Sequence, residues 1–151
     1  MTMTPQQRAE AVANAMWAQD GASKWVGMEL VSIAEGRATM ALDVAPQHCN
    51  GHGICHGGVT FTLADSAFAY ACNSRNQSTV AQHNSITYTA PGRLGDRLTA
   101  TATEVALTGR SGIYDVSVTN QDGIVIARFR GLSRAIKGQY MAEPEGEESA
   151  T

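Results

Sequence analysis

The segment from His56 to Cys72 constrains the fold of this chain more than any other. Leu63, Ala64, Ala67, Phe68 and Ala71 recur at helical spacing, and small or apolar residues fill most of the remaining faces. A helix that is apolar nearly all round is buried. Whatever the rest of the chain forms must therefore cover it.

Asp65 lies in the middle of that helix. A buried, unpaired carboxylate costs several kcal/mol or else shifts its pKa upward. It is either satisfied by a structural network or kept for chemistry. The start of the helix is equally unusual. No Ser, Thr, Asp or Asn directly precedes Gly57-Gly58 to cap the first amides. Two glycines allow close approach to the backbone, and their N–H groups are expected to be bare. Bare amides at the positive end of a helix dipole bind an oxyanion or a polarised carbonyl. The bland alternative is a tight turn.

Gly58 and Asp65 are seven positions apart and project from a similar face. At about 1.5 Å per residue they lie roughly 10 Å apart along the axis. One carbonyl cannot comfortably touch both groups of one chain. If both act on it, they come from two antiparallel copies of the helix across a two-fold axis, which is a composite site in a homodimer.

The rest of the sequence supplies the cover. A chain of 151 residues is expected to form one domain over 1–138, followed by an acidic, disordered tail over 139–151. Residues Pro5 to Gln19 read as a helix ended by Gly21. Strands are expected at Glu29 to Ile33 and Arg37 to Val44, then a Gly- and Pro-bearing loop from Ala45 to Cys55. After the helix come strands at Thr79 to Thr89, Arg97 to Leu107, Ser111 to Thr119 and Ile124 to Ile136. Leu98, Ala100, Ala102 and Val105 alternate in the second of these, and Ile113, Val116 and Val118 do so imperfectly in the third. Asn120-Gln121-Asp122-Gly123 is a hairpin turn. One long apolar helix followed by a meander is best satisfied by wrapping the sheet around it. The expected fold is therefore α+β, a hotdog arrangement with an antiparallel sheet of five to six strands.

Composition excludes other classes. A net charge of −3 disfavours nucleic acid as a partner. No apolar run approaches the ~20 residues of a membrane span. The first twenty residues lack a secretory pattern, and three cysteines do not make a disulfide framework, so a reducing cytoplasm is expected.

The string Asn50-Gly51-His52-Gly53-Ile54-Cys55-His56-Gly57-Gly58, followed by Leu63-Ala64-Asp65, resembles the PaaI-type hotdog thioesterases. The similarity continues through Ala67 to Ser74, Gly95 to Ala102 and Phe129-Arg130-Gly131. The resemblance implies hydrolysis of phenylacetyl-CoA or ring-hydroxylated relatives in phenylacetate catabolism. It implies a homodimer assembling to a homotetramer, and no cofactor, coenzyme A being part of the substrate. Carried over by position, Gly57 offers its N–H to the thioester carbonyl. Asp65 of the partner subunit activates water or attacks directly. Asn50 holds the thioester or the water, and His56 orients the loop. The family also uses a hydroxyl on the following strand, but Ala81-Gln82-His83-Asn84-Ser85 offers no clear match.

Other residues compete for attention. His48, Cys49, His52, Cys55 and His56 crowd one loop, but their spacing fits no closed zinc pattern of separated pairs. The three cysteines read as packing, and so does His83. Arg93, Arg97, Arg110, Arg134 and Lys137 are candidates for the CoA phosphates. Trp17 and Trp25 read as core or interface. Two rival functions share this wrap: a non-catalytic acyl-CoA-binding module and a hotdog hydratase or dehydratase. A short Asp behind two glycines favours hydrolysis over both.

Overall fold

The computed structural model describes residues 2–144. Helix α1 (Pro5–Gln19) begins at a capping box, with Thr4 Oγ1 accepting from the Gln7 N–H and the Gln7 side chain accepting from the Thr4 N–H. Gly21 does not simply end it. Asp20 accepts from the Ser23 N–H and caps a second short helix, α2 (Gly21–Val26), which closes on Gly27 in the left-handed conformation. Strands β1 (Glu29–Ala34) and β2 (Arg37–Asp43) form a hairpin. The central helix α3 (Gly57–Cys72) follows. Strands β3 (Thr79–Tyr88), β4 (Arg97–Thr108), β5 (Ser111–Thr119) and β6 (Val125–Ala135) complete the chain.

All six strands join one antiparallel sheet in the order β1-β2-β4-β5-β6-β3. The sheet curls around α3, which touches every strand. Small residues line the inner face where the helix comes closest: Ala38 on β2, with Ala100 and Ala102 on β4, is wholly buried. Leu63, Ala64, Ala67, Phe68 and Ala71 are the buried side of the helix, as their spacing requires. The Phe68 ring sits between Tyr114 and Phe129, with centroids 5.5 and 5.9 Å away.

Two irregularities in the alternation have structural causes. On β5, Gly112, Tyr114, Val116 and Val118 face the helix, so Ile113 belongs to the outer face and the pattern is regular after all. On β4 the register shifts between Glu104 and Ala106, and Val105 falls at that bulge, 53% exposed rather than inward. Trp17 packs obliquely against Tyr70, whereas Trp25 is 88% exposed and is no part of this chain's core.

Gly131 on β6 is fixed by packing. A Cβ there would lie 2.8 Å from the Phe68 ring, which its neighbours hold in place. Gly131→Val is therefore expected to lower stability by about 2 kcal/mol or more through overpacking, read as a lower urea midpoint. An unchanged midpoint would mean that the ring gives way freely.

Of the expected tail, residues 139–144 lie against the body of the domain. Asn76 accepts from the Tyr140 N–H and donates to the Met141 carbonyl, and Arg8 pairs with Glu143 at 2.7 Å. Residues 145–151 lie outside the described residues.

Candidate active site

His56 is the N-cap of α3, and its Nδ1 accepts from the Gly58 N–H at 2.8 Å. The expectation that both glycine amides are bare is corrected on this point: an imidazole nitrogen does the capping usually done by a hydroxyl or carboxylate. In the neutral ring, the proton is then on Nε2. The Val59 and Thr60 amides return to the His56 carbonyl. The Gly57 N–H alone among these has no partner within the described residues. One amide at the positive end of α3 is thus left to a ligand.

Both glycines sit against neighbouring side chains. A Cβ on Gly58 would stand 3.0 Å from the capping Nδ1, and one on Gly57 would stand 3.1 Å from the Tyr88 ring. Tyr88, from β3, donates its hydroxyl to the Gly57 carbonyl at 2.7 Å and pins this first turn.

The loop before the helix is built as a short antiparallel pair. Cys49 faces Cys55, flanked by hydrogen bonds between Asn50 and Ile54 and between His56 and His48. Asn50 Oδ1 accepts from the His52 and Ile54 amides, so its Nδ2 is the end available to a ligand. Both ring nitrogens of His48 are engaged, Nδ1 with the Ala45 N–H and Nε2 with the Val26 carbonyl. His52 is exposed, and the described residues bring no three of the loop's His and Cys side chains together around a common point.

Asn50 and Gly57 line one cleft of about 380 Å³, together with Thr60, Tyr88, Pro91 and Ile126. Asp65 does not line it. The carboxylate is half-buried further along α3, where Asn84 Nδ2 on β3 donates to its Oδ1 at 3.0 Å. Burial pushes its pKa above the ordinary carboxylate value, and the bond from Asn84 partly offsets this. So three of the four expected site residues, Asn50, His56 and Gly57, gather at one end of α3. The fourth, Asp65, stands apart within a single chain.

Sequence reasoning missed Asn84 and Tyr88. Tyr88 was within reach as an aromatic at the end of an expected strand. Asn84 was not, because its face depends on a bulge. His83, its neighbour, is exposed. Of the basic candidates, Arg97 is occupied by Glu29 and Asp43 at 2.8 and 3.2 Å. Arg93, Arg110, Arg134 and Lys137 make no ion pair among the described residues.

A sheet wrapped on a helix whose first free amide opens into a cleft is a hotdog fold with a place for a carbonyl at the helix N-terminus. The family model Thioesterase superfamily matches residues 52–127. Acyl-coenzyme A thioesterase PaaI of Escherichia coli (strain K12) is 43% identical over 131 residues, covering 87% of this chain and 94% of that one. The E. coli PaaI structure, from the phenylacetic acid degradation operon, superposes with a TM-score of 0.88 at 41% identity, covering 90% of this chain and 99% of that one. A hypothetical thioesterase of Streptococcus pneumoniae TIGR4, solved with coenzyme A, superposes with a TM-score of 0.71 at 27% identity, covering 75% and 88%. The chain belongs to the thioesterase superfamily, among its PaaI-type acyl-CoA thioesterases.

Proposed function

We propose that this enzyme hydrolyses aryl-acyl-CoA thioesters, phenylacetyl-CoA or hydroxyphenylacetyl-CoA, at a site shared by two subunits. The observation that carries the reading is the Gly57 N–H, left without a partner at the mouth of a cleft while His56 caps its neighbour. The thioester carbonyl accepts from that amide, which stabilises the developing oxyanion; one such donor is typically worth about 3 kcal/mol. The Nδ2 of Asn50 holds the thioester or the attacking water. Asp65 of the other subunit either takes a proton from the water that attacks the carbonyl, or attacks the carbonyl itself to form a mixed anhydride that water then hydrolyses; in both routes the C–S bond breaks and CoA leaves as thiolate. Similarity to the E. coli enzyme supports the aryl substrate class.

Arg93 is the best-placed cation for the CoA phosphates. It pairs across the backbone with Ile54, a cleft residue, and is exposed and makes no ion pair among the described residues. The assembly is a homodimer that pairs again to a homotetramer. No metal or added cofactor is needed, since base and oxyanion donor both come from the protein. Full activity is expected after exhaustive chelation; loss on chelation with recovery on adding zinc would overturn this.

A panel of aromatic and aliphatic acyl-CoA thioesters, read by thiol release, tests the substrate class. Highest kcat/KM is expected for phenylacetyl-type substrates. A smooth preference for medium aliphatic chains would refute it. The acid side of the pH profile is expected to lie above the ~3.9 of a free Asp, because burial raises Asp65. Activity falls as pH drops through that value and the carboxylate takes up its proton.

A further inference from the structure

Asn84 is tied to Asp65 at the expense of its own carbonyl. Its Nδ2 donates to Asp65 Oδ1 at 3.0 Å, while its Oδ1 is buried with no hydrogen-bond partner. It is the only buried side-chain polar atom so placed among the described residues. An unmet buried acceptor carries its full desolvation penalty. The amide does not escape by turning over, because that would set its oxygen against the carboxylate.

The backbone is also shaped to this contact. Along β3, Ala81 pairs with Ser133, but His83 pairs with Leu132 and Asn84 with Gly131. Gln82 is therefore the extra residue of a bulge, and it inverts the parity of the strand. A regular strand carrying Ala81 inward would turn His83 and Ser85 toward the helix and Asn84 outward. The bulge brings Asn84 in, onto α3. A chain that carries both an irregular strand and an orphaned carbonyl for one hydrogen bond needs that bond for more than packing.

We propose that Asn84 is a positioning residue of the hydrolytic site, holding Asp65 by one oxygen so that the other meets the water or carbonyl. This rests on the hydrolytic reading above. Asp65 Oδ1 is engaged, and Oδ2 has no partner among the described residues yet is not sealed from solvent. The donated bond favours the ionised carboxylate against the burial that opposes it. Among the described residues no charged side chain adds to that balance; the Cys72 thiol on α3 feels Asp65, pushed up to about 12 mainly by burial and then by the carboxylate. His83, Ser85 and Thr87 on β3 lie on the other face.

Two variants test the proposal. Asn84→Leu removes the donor at similar size. Asn84→Asp keeps the shape but sets a second carboxyl against the first. Carboxyl NMR titration of Asp65 reads its pKa without any need for turnover. Asn84→Leu is expected to raise it by about one unit, and Asn84→Asp by more, since like charges add to the lost bond. The acid limb of kcat should move in the same order, with kcat down about tenfold and KM within twofold. At a pH where Asp65 is neutral, Asn84→Leu should melt no lower than the parent enzyme, as its orphaned carbonyl is gone. If the leucine variant fails to fold, Asn84→Asp carries the test alone. An Asp65 titration unmoved in the folded variants overturns the proposal. A titration that shifts as stated in a protein without thioesterase turnover would refute the functional reading instead.

Discussion

Asp65→Asn is expected to lower kcat at least a hundredfold and leave KM nearly unchanged, because in the proposed mechanism the carboxylate acts in the transition state rather than in binding. The substitution keeps the shape of the side chain and removes the base. Stability should move the other way. Burial raises the folded-state pKa of Asp65 above its unfolded value. The folded protein thus holds the proton more tightly, and stability is lost as pH rises from the unfolded pKa through the folded one. At neutral pH the variant should therefore melt at or above the parent temperature. Thiol release and thermal melts on one preparation check both. Parent-level turnover, with deamidation excluded, would remove Asp65 from the mechanism.

Mixing two inactive proteins is expected to restore activity. The cleft that holds Asn50 and Gly57 does not include Asp65, and seven residues of helix separate Gly58 from the acid by roughly 10 Å. In the proposed site, a carbonyl at Gly57 takes its base from another chain. Gly57→Leu blocks the amide, since even a Cβ there meets the Tyr88 ring at 3.1 Å. A heterodimer of Gly57→Leu and Asp65→Asn contains one site with both defects and one with neither. After subunit exchange, about a quarter of the parent activity per site is expected from random pairing of equal amounts, as half the dimers have one intact site of two. No recovery despite proven exchange would place the whole site in one chain.

Much of the fold could be read from the residues, because the burial pattern of α3 and the alternation of β4 and β5 are one-dimensional signals. The N-terminal half of the sheet was legible too, with β1 and β2 ending within a residue of expectation. Two kinds of information were not. Helix α2 depends on a cap: Asp20 accepts from Ser23 and from the Tyr70 hydroxyl, fifty positions away. The bulges at Gln82 and Val105 are register events between strands, so the faces of Asn84 and Val105 could not follow from alternation within one strand. In the site, Gly57 and Asp65 were marked by residue type and spacing, and Asn50 and His56 only by the family resemblance. That His56 occupies the Gly58 amide, leaving Gly57 as the single donor, came only with the side-chain geometry.

Strand β3 is one of the two edges of the sheet, paired to β6 on one side and to no other strand among the described residues on the other. It also carries Asn84, which holds the acid, and Tyr88, which pins the amide turn. An open edge is a template for a second chain. Catalysis that draws on two chains at this edge obeys mass action: the activity of each subunit should fall when the protein is diluted below its self-association constant, and substrate that binds only the assembled form should restore it. The newly made single chain would then be folded but silent toward cellular thioesters until it meets a copy of itself.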